Sequence, residues 1–181
     1  LYYYLDNTPS HAYMKHLYKY PQAAFPYSDL VNQNRGRSKS EGEYEILDSG
    51  VFDDQRYFDV LTTYAKASSE DILIQITVHN RGPEKAPVSV LPTLWFRNLW
   101  SVGLMKQKPK MVLKSISREL GYVSLHHEEI GEYHFYVESP DYVLFTENET
   151  NTDRIFQVPN PHPFVKDSFH TAIVGGDRTL K

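Results

Sequence analysis

Three stretches decide the fold: RYFDVLTTYAK (56–66), DILIQITVH (71–79) and VSVLPTLWF (88–96). Phe58, Val60, Thr62 and Tyr64 recur at every second position in the first, Ile72, Ile74, Ile76 and Val78 in the second, and Val88, Val90, Leu94 and Phe96 lie on one face of the third. A period of two belongs to a strand with one buried face. The connectors ASSE and NRGPEKAP are short and rich in turn residues, so 56–66, 71–79 and 88–96 are expected in consecutive antiparallel pairing. Keeping apolar faces together sets Phe58 near Val78 and Ile74 near Leu94. Pro92 has no amide hydrogen to donate, so the third strand should bulge there or turn that position away from a partner.

Downstream, further strands are expected at 111–117, 122–127, 132–137 and 142–146. Matching Val123 and Leu125 with Phe135 and Val137 places His126 across from His134. Upstream, 1–27 keeps neither period, and Pro9, Pro21 and Pro26 confine any helix to SHAYMKHLYKY (10–20), which reads as a short helix or turn inside an extended arm. NQNRGRSKSEGE (32–43) has no apolar residue and reads as a mobile surface loop. Arg35, Arg37, Lys39 and nearby Lys19 read as a solvated face. Seven or more strands with almost no amphipathic helix predict an all-β fold, an antiparallel two-sheet β-sandwich of supersandwich-like type with an irregular aromatic N-terminal arm; an open barrel is the alternative. The expected organisation is a single domain over 1–181, with arm and loop in 1–47 and a strand-rich body in 48–181.

Composition narrows the function classes. A chain of 181 residues that is 40% hydrophobic and 23% charged fits a globular domain. With 19 Lys+Arg against 23 Asp+Glu, the net charge of −4 argues against a nucleic-acid surface. The absence of Cys removes disulfides, zinc ribbons and thiol chemistry, and is compatible with a cytoplasmic location. No long uninterrupted apolar run predicts a membrane span, and LYYYLDNTPS (1–10) shows neither a start Met nor a leader. Seven of the 14 tyrosines precede residue 30, an enrichment shared by strands, interfaces and sugar sites.

Four candidate sites follow. DSGVFDDQRYFD (48–59) carries Asp48, Asp53, Asp54 and Asp59, and a glycosidase needs an acid and a base on opposite sides of one bond. Asp53 and Asp54, however, would point to opposite sides of an extended strand, and a loop Asp-Asp also serves as a turn former or as a partner of Arg56. His126 and His127, adjacent on a strand, project to opposite faces and cannot chelate one ion, so no metal is expected. Asn148-Glu149-Thr150 is a formal glycosylation acceptor, read as accidental. In LPTLWFRNLW (91–100), Trp95 and Trp100 could stack on sugar faces while Arg97 and Asn98 bond hydroxyls; the same residues equally suit a core or a domain interface. Trp95, Arg97, Asn98, Trp100, Asp53 and Asp54 are therefore the candidate substrate-binding residues. No nucleotide motif occurs and no cofactor is expected.

Taken together, YYYLDNTPSHAYMKHLYKYPQAAFPY (2–27), GVFDDQRYFDV (50–60), ITVHNRG (76–82), VLPTLWFRNLW (90–100) and FTENETN (145–151) resemble the bacterial glucosidase-like proteins of glycoside hydrolase family 63. The resemblance implies an N-terminal β-sandwich preceding an (α/α)6 barrel that holds the acid and base carboxylates of an inverting α-glycosidase. It implies that this chain is most of that sandwich, cut from a longer enzyme, with no catalytic residue of its own. Its partners would be the barrel of the same polypeptide and, in the intact enzyme, an oligosaccharide, with self-association of the fragment as a further expectation. Neither nucleic acid nor membrane is an expected partner.

Overall fold

The computed structural model describes residues 1–176. The chain is mostly β, in two antiparallel sheets of four and three strands, consistent with an all-β sandwich. It divides into two compact units, Leu1–Val88 and Ser89–Lys181, with one sheet in each.

The first unit is built on β1 (Tyr2–Asn7), β2 (Tyr13–Pro21), β3 (Tyr57–Lys66) and β4 (Ile72–Asn80), in the order β1-β2-β3-β4, with α1 (Tyr27–Gly36) between β2 and β3. β3 and β4 confirm two of the three deciding strands, but the register is Phe58 with Asn80 and Val60 with Val78, two residues from expectation. A shift of two keeps every side chain on its face, so the apolar pattern alone could not separate the registers. The turn separates them: Ala67 N–H donates to the Asp71 carbonyl at 2.9 Å and closes the hairpin there.

The irregular arm is corrected outright. Residues 1–21 form a β-hairpin, and β2, expected to be helix or turn, lies between β1 and β3. At its turn, Thr8 Oγ1 accepts from Tyr13 N–H at 3.1 Å, and His11 takes a left-handed conformation (φ 54°). The aromatics then sort by strand geometry: Tyr2, Tyr4, Tyr18 and Tyr20 share a face with Phe58 and Val60, and the Tyr2 and Tyr18 rings stack at 4.4 Å. A register shift between Tyr4 and Asp6 breaks the period in β1, which is why no period was visible there. The 32–43 loop is corrected in its first five residues, which are helical, and the following turn is tied back by side chains. Asn34 grips Tyr44 through both amide atoms, donating to its carbonyl at 2.9 Å and accepting from its N–H at 2.8 Å.

The segment expected as the third deciding strand, 88–96, is not a strand. Pro92 withholds a ladder donor from its middle and Pro87 another just before it, and β4 pairs only with β3 among the described residues. The meander therefore stops at β4, and the expected approach of Ile74 to Leu94 is replaced by pairing of Ile74 with Tyr64.

The second unit carries β5 (Lys110–Ile116), β6 (Leu120–His127) and β7 (Gly131–Glu138), three of the four strands expected downstream, followed by α2 (Thr152–Phe156) and α3 (Phe169–Ile173). The fourth, 142–146, is irregular, because Ser139 in a left-handed conformation (φ 46°) and Pro140 end β7 and redirect the chain. His126 does not face His134: it pairs with Glu132, while Ser124 pairs with His134. The three-residue loop 128–130, closed by Gly131 at φ 79°, sets this register. Gly121 in β6 is required by close packing, since a Cβ there would sit 3.0 Å from the Pro140 ring.

The cores are small. Phe58 and Pro21 are buried in the first unit, and Met105, Val123, Leu125, Val165 and Ala172 form the apolar core of the second. No large side chain among the described residues is wholly enclosed.

Candidate functional site

The best-built polar constellation lies where the predicted Trp95–Trp100 segment meets the loop around Glu149, within the second unit. Two backbone bonds, from Glu147 N–H to the Phe164 carbonyl at 2.7 Å and from Lys166 N–H to the Glu149 carbonyl at 2.8 Å, tie 147–149 to the 164–166 segment. Asn148 takes a left-handed conformation (φ 53°) and donates through Nδ2 to the Phe96 carbonyl at 2.7 Å. That bond engages the nitrogen a glycan would need, so the glycosylation motif is occupied structurally. Asn98 returns the contact, donating to the Asn148 carbonyl at 2.9 Å and to Glu149 at 3.2 Å.

Trp100 is half-buried, and its indole N–H donates to Glu149 Oε1 at 2.5 Å. Lys108 lies 5.4 Å from the centre of the Trp100 ring and 3.8 Å from Glu149, and it also pairs with Glu147. The arrangement is a carboxylate held by an indole, an amide and an ammonium. Chemically it fixes Trp100 in one orientation, with cation–π attraction adding to the hydrogen bond. Glu147 and Glu149 share one cation, and both oxygens of Glu149 accept bonds within the chain. They are engaged as structural anchors, not as an acid and a base facing each other across a water.

Of the other predicted site residues, Trp95 is 65% exposed, with the Lys166 ammonium 5.9 Å from its ring centre. Arg97 is exposed, and its guanidinium makes no hydrogen bond or ion pair among the described residues. Asp53 and Asp54 belong to the first unit and are exposed. Asp53 N–H closes a turn onto the Gly50 carbonyl at 3.0 Å, and its carboxylate lies over Gly50, where a Cβ would be 2.9 Å away. The turn-forming role weighed for this pair is the one seen. Arg56 pairs with Glu84 instead of either aspartate.

The remaining acid of that stretch, Asp59, has a role that sequence reading missed. It is buried on β3, receiving Lys19 from β2 at 2.6 Å and Arg81 at 2.7 Å. Burial alone would raise its pKa, but the hydrogen bonds and charges of Lys19 and Arg81 outweigh this and hold the carboxyl below its ordinary value. Lys19, assigned to a solvated face, is thus bound into the sheet, and its own pKa is raised first by the bond to Asp59. The legible signal was the alternation of Lys15, Leu17 and Lys19 against His16, Tyr18 and Tyr20, which is that of a strand.

Elsewhere in the first unit a cavity of about 300 Å³ is walled by Tyr20, Phe25 and Pro87, with buried Phe58 at its floor. Among the described residues no three His, Asp or Glu side chains are placed to hold a metal ion, and no helix is long and apolar enough to cross a membrane.

No family model matches the chain, and no solved structure does. The chain is similar to the uncharacterized protein YMR196W of Saccharomyces cerevisiae, 33% identical over 208 aligned positions that cover 97% of this chain. It spans 19% of that relative, about a fifth of its length.

Proposed function

We propose that the chain is the non-catalytic β-sheet portion of a glycoside hydrolase of the family 63 type, bracing an (α/α)6 catalytic barrel elsewhere in the same polypeptide and walling one side of its oligosaccharide site. The observation that carries this reading is an excess of surface. The chain exposes 13814 Å². Two separate compact globules, each of half its 21.1 kDa mass, would together expose roughly 11,000 Å². The excess, about 3,000 Å², is on the scale that a large obligate interface covers. Aromatic side chains contribute to it: Tyr20, Tyr27 and Trp95 are exposed, and Tyr13, Tyr18 and Trp100 are only half-buried. A relative several times as long supplies a precedent for further polypeptide to cover them.

A second reading, a free-standing carbohydrate-binding module, is favoured by exposed Trp95 beside unpaired Arg97. One set of measurements separates the two. The intact polypeptide and the 181-residue chain are each assayed on α-linked gluco- and manno-oligosaccharides, and the chain is titrated with the same sugars. Hydrolysis by the intact polypeptide, with neither hydrolysis nor binding by the chain, is the expected result. Binding by the chain that is lost in Trp95→Ala would favour the module. An intact polypeptide that neither binds nor hydrolyses any α-oligosaccharide would overturn both.

A further inference from the structure

The outer edge of β4 is an open strand template. β4 runs without a bulge along β3, has no charged residue between Ile72 and Val78, and contains neither Pro nor Gly. Such an edge is uncommon, because sheets usually protect their edges with lysines, prolines or bulges. The opposite edge, β1, has that protection: a register shift and Asp6. On β4, by contrast, Ile72, Leu73 and Ile74 are all exposed, so both faces of its first half are open.

Hydrogen-bond alternation fixes which backbone groups point outward. Asp71 accepts from Ala67 N–H at one end of the β3–β4 ladder, and Arg81 N–H donates to Tyr57 at the other. Odd-numbered residues of β4 therefore bond to β3, and the N–H and C=O groups of Ile72, Ile74, Ile76 and Val78 point to the free edge. Among the described residues no partner takes them.

We infer that this edge pairs with the same edge of a second copy, antiparallel about a two-fold axis through Gln75, making one continuous eight-stranded sheet. The sequence of β4 is self-complementary about that point. Ile74 would bond with Ile76 of the second copy and Ile72 with its Val78, which are the outward-pointing residues required. Leu73 would face Thr77, Gln75 would face Gln75 with their amides in reach, and Asp71 would meet His79, so no like charges oppose. A two-fold axis normal to the sheet keeps Ile72, Ile74, Ile76 and Val78 of both copies on one face, and the pairing closes at two chains. The inference is independent of the proposed enzyme.

Because the chain has no Cys, a single introduced thiol can link only between copies. Gln75→Cys, at a site where the paired Cα atoms would be about 4.5 Å apart, should form a disulfide dimer readily under mild oxidation. Leu73→Cys and Thr77→Cys, each displaced by about 13 Å from its own copy, should not. Sedimentation velocity of the unmodified chain should show a concentration-dependent dimer, weakened at least about tenfold by Ile74→Lys. Equal linking of all three thiols, no linking of Gln75→Cys, a monomer at about 100 μM, which is where even a weak dimer would show, or assemblies that grow past two copies would each overturn the pairing.

Discussion

Replacing Asp59 with Asn tests whether a charge clamp organises the four-stranded sheet. Asp59 is 6% exposed and accepts one bond from Lys19 and one from Arg81. Hydrogen bonds to charged groups contribute about 1.5–3 kcal/mol each, and breaking a fully buried ion pair costs about 3–5 kcal/mol. Here the two cations keep 25% and 51% of their side-chain surface, so they can rehydrate when the carboxylate is lost. Asparagine also retains one acceptor oxygen. The expected cost is therefore about 2 kcal/mol at neutral pH, a fall of about 10 °C in the melting of an 88-residue unit. The assay is urea and thermal unfolding followed by near-UV circular dichroism of the tyrosines, for the unmodified chain and Asp59→Asn, between pH 7 and pH 2.5. Because the folded carboxyl has a lowered pKa, its stabilisation is present above the unfolded value of 3.8 and is lost as pH falls through the lower folded value. The two proteins should thus differ by a constant amount down to about pH 4 and converge below it. A difference under about 0.5 kcal/mol at pH 7, within the range of ordinary surface substitutions, would refute the clamp, and so would a gap unchanged down to pH 2.5.

Three further outcomes are expected. Leu125→Ala, which empties a position only 3% exposed in the second unit, should destabilise it by about 2–4 kcal/mol in denaturant unfolding. Gly131→Ala should cost about 1 kcal/mol for backbone reasons alone, since φ is 79° and an added Cβ meets no atom within 4 Å; unchanged unfolding would refute the turn that sets the β6–β7 register. The purified chain should not hydrolyse aryl α-glucosides, and activity that disappears on mutating Asp53 or Asp54 would show that the exposed turn is catalytic after all.

The candidate site was half legible. Trp95, Arg97, Asn98 and Trp100 were singled out because aromatic and hydrogen-bonding residues crowd ten positions; Asn98 and Trp100 proved tied into a polar cluster, while Trp95 and Arg97 are exposed. Their anchors, Lys108 and Glu149, carried no local signal, since they lie 8 and 49 positions from Trp100. Asp59 was read on the 56–66 strand with no partner in view, because its cations come from 40 residues before it and 22 after.

By itself the sequence determined five of the strands, β3, β4, β5, β6 and β7, each within two residues of where it lies, but it marked 88–96 and 142–146 as strands too, and neither is one. It also determined which face of each strand is apolar, because the pleat sends alternate side chains to opposite sides whatever the partner. Tertiary structure decided what alternation cannot encode. Registers that differ by two residues present the same faces, so hairpin turns chose between them at Ala67–Asp71 and at Gly131. A bulge hid the period of β1, and pairing with β3 made a central strand of a segment that reads locally as helix or turn. The segment 88–96 shows the converse: it has the alternation of a strand and is none, because a strand needs backbone donors for its neighbour, and Pro92 within it and Pro87 just before it withhold theirs.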